Sequence, residues 1–240
     1  MHNNSLDVFS SADWLAEGKI LLHPTEGVWG IGCDALNESS FLRVYELKKR
    51  PRNKSFILLI KSYEAVQKYI KNLDKIDLNF INTVWPGPTT LLVDYNDKTP
   101  DHLRNDSGKI ALRVSNHYPI IQLFKSFNGI MVSTSANISG EKNIDNAGKL
   151  IKIFNQEDVG LYNDKLGNNI KPSRIIDLLT KKVLREGGGV QKINKDQVVE
   201  VRNFLLELQN NIISMICSYD NSEFNKDNWS RDEGGGGITC

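Results

Sequence analysis

The sequence predicts a mixed α/β domain followed by a separate helical extension, on three observations. Short apolar runs of strand length recur between residues 19 and 185. Segments with apolar residues at helical spacing lie among them, without the strict alternation that a doubly wound parallel sheet requires. At Glu186-Gly187-Gly188-Gly189 the chain reads as a flexible linker, and a long helical pattern follows.

Ser10-Ser11-Ala12-Asp13 leads into Trp14 and Leu15 and then Gly18, which predicts a short capped helix ended by a glycine. Residues 19–23 form an apolar run stopped by Pro24, a candidate buried strand. Residues 39–49 carry Phe41, Val44, Tyr45 and Leu47 at helical spacing, and 56–60 is a second strand candidate. Residues 62–70 and 73–84 read as helices, until Pro86-Gly87-Pro88 breaks the chain. Strands are expected at 89–93, 110–114 and 130–132, with a helix at 117–127 between the last two. Residues 145–154 repeat the helical pattern through Ala147, Leu150, Ile151 and Phe154, and 174–178 and 182–185 read as short strands. The expected domains are 8–190 and 191–240. In the second, Val198, Val201, Phe204, Leu205, Leu208, Ile212 and Met215 mark one face of a helix. Residues 218–240 carry too little apolar content to fold alone, which predicts a mobile tail. The glycine run Gly234-Gly235-Gly236-Gly237, followed by Ile238-Thr239-Cys240, reads as an interrupted sequence.

A net charge of +1 gives no support for nucleic acid as the main ligand, although a local basic patch is compatible with it. Cys33, Cys217 and Cys240 are far apart, and none of His2, His23, His102 and His117 has metal-ligand spacing, so neither a zinc site nor a disulfide framework is expected. The first residues lack the basic start and apolar core of a signal peptide, and no apolar run approaches the ~20 residues of a membrane span. The expected setting is the cytoplasm.

Four segments carry candidate chemistry. Residues 23–34, HPTEGVWGIGCD, place Gly27, Gly30 and Gly32 after a strand. They read as a tight turn over the core or as backbone that lets a ligand approach closely. Residues 48–54, KKRPRNK, put five cations at a helix C-terminus, as a solvated basic end or as a phosphate clamp. Arg113 sits inside the apolar strand 110–114, where it needs a partner or a cleft: a buried ion pair or a carboxylate receptor. Residues 132–140, VSTSANISG, follow a strand with short hydroxyls and an amide, a ligand-lining loop or a locally bonded one.

Together, in this order, with WPGPTTLL (85–92), PSRIID (172–177) and LREG (184–187), these segments resemble the YrdC/TsaC family, the threonylcarbamoyl-AMP synthases of tRNA modification. The resemblance runs from about residue 13 to 187. It implies a YrdC-like twisted mixed sheet, parallel and antiparallel, with flanking helices and a concave basic face. The family's lysine-x-arginine and serine-x-asparagine signature falls on Lys48, Arg50, Ser135 and Asn137, the candidate catalytic residues. By resemblance, Lys48, Arg50, Lys54, Asn137 and Arg185 contact ATP, and Thr25, Arg113, Ser135 and Ser173 surround L-threonine. Gly27 stands where relatives often carry a hydroxyl or alanine, and Glu186 where proline is frequent. The implied reaction joins L-threonine, bicarbonate and ATP into threonylcarbamoyl adenylate and pyrophosphate, for N6-threonylcarbamoyladenosine in tRNA. Mg²⁺ is expected on the ATP phosphates rather than in a protein cage. Downstream tRNA threonylcarbamoyl-transfer proteins are the implied partners, with RNA as a further ligand and no membrane. The rival from another class is a non-catalytic module that holds double-stranded RNA or tRNA by phosphate contacts.

Residues 194–240 resemble a different family. FLLELQ (204–209) and FNKDNWSRDEGGGG (224–237) are similar to the N-terminal stretch of oxygen-dependent coproporphyrinogen oxidases. The remainder of such an enzyme is absent from this sequence, so no oxidase activity is expected from it.

Overall fold

The computed structural model of the chain describes residues 5–168, 172–187, 195–220, 227–230 and 236–239. The chain divides into two compact units, Met1–Val190 and Gln191–Cys240. Among the described residues the first unit holds β1 (Ser5–Leu6), α1 (Val8–Ala16), β2 (Ile20–His23), β3 (Gly30–Gly32), α2 (Glu38–Lys48), β4 (Ile57–Leu59), α3 (Lys75–Val84) and β5 (Thr89–Asp94). It continues with β6 (Lys109–Arg113), α4 (Tyr118–Ser126), β7 (Met131–Ser135), α5 (Ala147–Ile153), β8 (Val159–Tyr162), β9 (Arg174–Asp177) and β10 (Val183–Arg185). The strands form one sheet in the order β1-β8-β2-β3-β7-β4-β6-β5-β9-β10. β1–β8, β2–β8, β4–β6 and β5–β9 are parallel, and the other neighbours run antiparallel. The mixed α/β sheet that the sequence predicts is therefore the observed architecture.

The period-2 alternation of strands decides what each face carries. Ile20, Leu22, Ile31, Leu58, Ile110, Leu112, Leu91 and Ile176 point into the larger core, against Phe41, Val44 and Tyr45 of α2, Ile81 of α3 and Leu150 of α5. The opposite face splits lengthwise. Leu21, Leu59 and Met131 pack under Ala12 and Leu15 of α1 and Ile120, Leu123 and Phe124 of α4. On the same face, Ile57 of β4, Ala111 and Arg113 of β6, and Ser133 and Ser135 of β7 line an open cavity instead. Four of those five side chains are small or charged, which leaves little apolar surface there for a helix to cover.

Caps set most helix starts. Asn37 accepts from Ser40 N at 3.1 Å for α2, and Asp74 from Asp77 N at 2.8 Å for α3. Gly18 takes φ +74° beyond α1, as the sequence predicts, but the N-cap is Asp7 rather than Ser10. Residues 62–70 are not an α-helix. They make two 3₁₀ turns, Tyr63–Ala65 and Gln67–Tyr69. The 23–34 segment is partly a strand: a Cβ on Gly32 would lie 1.7 Å from the Val132 carbonyl, and one on Gly30 would strike the His23 ring. Those two glycines admit a neighbouring strand and a buried imidazole. Burial pushes His23 down to about 4, so the ring is neutral at pH 7.

The second unit contains α6 (Lys195–Asp220), and beyond it β11 (Asp227–Ser230) pairs antiparallel with β12 (Gly236–Thr239), Trp229 opposite Gly237. The rest of the segment for which composition predicts a mobile tail, beyond the end of α6 and these two strands, lies outside the described residues. No described helix is long and apolar enough to cross a membrane.

Candidate active site

The open end of the sheet face encloses a cavity of about 590 Å³, within the usual range for small-molecule sites. Arg113, at the end of β6, supplies its most constrained cation. The Nε–H donates to the Gly87 carbonyl at 3.1 Å, and Nη2 pairs with Glu26 Oε1. Gly87 is itself pinned, its N–H donating to Val114 O at 2.8 Å. The Pro86-Gly87-Pro88 break is therefore the bracket that aims Arg113. The arginine forms a buried ion pair and also lines the cavity. Burial lowers its guanidinium from the ordinary arginine value, while Glu26 acts in the opposite direction.

The basic segment separates its cations. Lys49 closes α2 with φ 49°, the left-handed region that turns the chain sharply. That turn sends Lys48 and Arg50 to different places. Lys48 is 1 % exposed, and its Nζ donates to Ser135 O and to Asn137 O, the latter at 2.7 Å. Burial, then the charge of Arg50, pushes it down to about 8. Arg50 stays at the cavity wall, donating to Lys54 O at 3.1 Å and Ser55 O at 2.9 Å, its guanidinium 5.1 Å from the Phe56 ring centroid.

In the VSTSANISG segment, Ser133, Thr134 and Ser135 continue β7 and line the cavity. Ser135 Oγ donates to Asn137 Oδ1 at 2.6 Å, and Asn137 Nδ2 donates to Ile138 O at 3.1 Å and Glu141 O at 2.6 Å. Asn137 is thus a latch of its own loop, fastened a second time by Lys48. Across the cavity, Arg185 donates to Ser173 O at 2.8 Å and to Ser173 Oγ at 3.1 Å, and Ser173 Oγ bonds Thr90 Oγ1 at 2.9 Å. Burial and the charge of Arg113 both lower the Arg185 guanidinium. Thr25 Oγ1 donates to Val28 O at 2.6 Å, which shapes the turn bearing Glu26.

Of the candidate residues, Thr25, Arg50, Arg113, Ser135, Ser173 and Arg185 converge on this one cavity. Lys48, Lys54 and Asn137 are not among the residues that line it. Lys48 and Asn137 are consumed in holding the serine loop, and Lys54 offers its backbone carbonyl to Arg50 and to the Tyr45 hydroxyl. The sequence reading missed Glu26 and Ser133. The signal for Glu26 was present, since an arginine inside an apolar strand demands a counter-ion.

Among the described residues, three guanidiniums against one carboxylate make the wall strongly cationic, suited to phosphate and carboxylate ligands. A neighbouring cavity of about 610 Å³, which shares Ser55, Phe56 and Ala111 with the first, lacks these three arginines. Among the described residues no group of three or more His, Cys, Asp and Glu side chains is arranged to hold a metal.

Residues 13–187 match the model of the Sua5/YciO/YrdC family, described as telomere recombination. The chain is similar to the threonylcarbamoyl-AMP synthase of Cellvibrio japonicus, 32% identical over 175 residues that cover 73% of this chain and 93% of that protein. Among solved structures it is similar to P. abyssi Sua5 complexed with L-threonine, with a TM-score of 0.69 and 27% identity, covering 75% of this chain and 54% of that one. The present chain thus spans about half of that larger protein. E. coli YciO shares the fold, with a TM-score of 0.66 and 21% identity over 77% of this chain and 91% of that one.

Proposed function

Because the chain belongs to the Sua5/YciO/YrdC family, we propose that it is a threonylcarbamoyl-AMP synthase, an ATP-using enzyme of tRNA modification. L-threonine, bicarbonate and ATP give threonylcarbamoyl adenylate and pyrophosphate. The observation that carries this reading is the convergence of Arg50, Arg113 and Arg185 with Ser135 on one cavity. Such a site matches one carboxylate and one polyphosphate. An RNA-binding module leaves unexplained why Arg113 is buried and pinned from two sides.

In the proposed chemistry, the threonine ammonium first loses a proton to solvent; the free amine then attacks the bicarbonate carbon, and water leaves as the carbamate forms. A carbamate oxygen then attacks the α-phosphorus, and pyrophosphate departs. Arg113 holds the threonine carboxylate. Arg50 and Arg185 face the phosphates and gather the charge that builds on the leaving group. Thr25, Ser135 and Ser173 bound the threonine pocket. Catalysis is mainly positioning and charge neutralisation. Glu26, the single carboxylate among the described residues of the wall, makes no cation cage, so Mg²⁺ would be held by the triphosphate and water and would neutralise phosphate charge. The work is cytoplasmic, and the adenylate passes to downstream tRNA threonylcarbamoyl-transfer proteins.

Arg113→Lys tests the reading. The ammonium keeps the charge and loses the planar fork. Separate calorimetric titrations are expected to show threonine affinity falling roughly tenfold or more, about the loss of one charge-assisted hydrogen bond, with ATP affinity nearly unchanged. Equal loss of both ligands would assign Arg113 to folding alone. We further propose that synthase activity belongs wholly to the first unit. The described cavity-lining residues end at Arg185, so truncation after Gln191 is expected to leave adenylate formation intact. A shortened protein that is folded but inactive would refute that boundary.

A further inference from the structure

Glu26 is the single carboxylate among the described residues that line the cavity. Its Oε1 accepts from both Arg113 Nη2 and Ser115 Oγ, the latter at 2.6 Å. No described residue bonds its Oε2. The side chain is only 15 % exposed, so the free oxygen is poorly served by bulk solvent. Its partner is similarly divided: Arg113 commits Nε to Gly87 and Nη2 to Glu26, while no described residue bonds Nη1. An acid and a base thus lie side by side, each anchored on one side and open on the other.

That pairing is the complement of an α-amino acid zwitterion, whose ammonium and carboxylate hang from the same carbon. We propose that Glu26 Oε2 binds the α-ammonium of the substrate while Arg113 Nη1 takes its carboxylate. This rests on the amino-acid reading above and adds the group that recognises the amine. Two further features favour it. Every other charged group among the described lining residues is a guanidinium, which would repel an ammonium. Ser115 and Arg113 both fasten the same oxygen, so they orient Oε2 without consuming it. Holding the ammonium there also fixes the position of its nitrogen, which loses one proton to solvent before it meets the bicarbonate carbon.

The test compares L-threonine with 3-hydroxybutanoate, the same skeleton without the amine, by calorimetry. The wild-type protein is expected to prefer threonine by roughly tenfold or more, the usual effect of a charge-assisted hydrogen bond in a desolvated site. Glu26→Gln keeps an acceptor for Arg113 and Ser115 but turns an NH₂ group toward the ammonium, so the preference is expected to collapse to near one. A merely structural role would weaken both ligands alike and leave their ratio unchanged. If Glu26→Gln does not fold, Glu26→Asp retains the charge and withdraws the free oxygen by one methylene, and the ratio is expected to fall severalfold. A wild-type ratio near one, or a folded variant that keeps the full preference, overturns the assignment. A wild-type protein that binds neither ligand refutes the amino-acid reading itself, and this assignment with it.

Discussion

Replacing Lys48 by Met is expected to cost both stability and activity. The substitution keeps the apolar stem but removes the ammonium that donates to the Ser135 and Asn137 carbonyls. Ser135 O keeps the Asn137 N–H at 2.9 Å, but the buried Asn137 carbonyl left without its donor costs about 1–3 kcal/mol, so denaturant unfolding is expected to show a loss of that size. The serine loop then keeps its side-chain bonds, from Ser135 to Asn137 and from Asn137 to Ile138 and Glu141, and the backbone bonds of Ala136 to Trp29 O and of Ser139 to Lys48 O, but loses the ammonium that ties Ser135 O to Asn137 O. Displacement of a positioning group by about 1 Å can lower a rate by about 10², and adenylate formation is expected to fall by at least that much. A Lys48→Met protein with wild-type stability would show that the buried ammonium does not hold the loop.

Arg50→Ala is expected to separate the two effects. Arg50 bonds the carbonyls of Lys54 and Ser55 and lies over Phe56, in a loop that water reaches. Those contacts contribute on the order of 1 kcal/mol, so unfolding should change little. In the proposed site its guanidinium faces the phosphates, where losing one donor to developing charge typically lowers the rate by about 10²–10³. Steady-state turnover beside a melting curve reads both quantities. A folded Arg50→Ala enzyme with wild-type turnover would remove Arg50 from the phosphate site. The two variants also differ from each other in a way that composition alone could not foresee. Lys48 and Arg50 are two residues apart, yet one is a buried fastening and the other a wall of the cavity.

That difference marks the limit of what the sequence makes legible. Apolar runs such as 19–23 and 110–114 announce buried strands, because nothing else accommodates four or five consecutive large side chains so economically. Caps and glycines announce several helices. β3 escapes notice because Gly30 and Gly32 carry no side chain to show alternation, and their reason for being glycine lies on other strands, at His23 and Val132. β8, Val159–Tyr162, is short and interrupted by Gly160, where a Cβ would meet Leu6 and Trp14. In the site, motif order brought six of the nine candidate residues to one cavity. Lys48 and Asn137 depart because whether a polar side chain faces ligand or its own backbone depends on a turn, here Lys49 at φ 49°. Arg113 predicts a counter-ion, but choosing Glu26 among 29 acidic residues requires the fold that brings the turn after β2 against the end of β6.

The most direct test of the central claim is pyrophosphate release by the purified protein with ATP, L-threonine and bicarbonate, each omitted in turn, with the nucleotide products identified by mass. The proposed function predicts release only when all three are present, together with an adenylate carrying the threonylcarbamoyl group. Pyrophosphate release indifferent to threonine or bicarbonate, or no release from a folded protein supplied with all three, would contradict it.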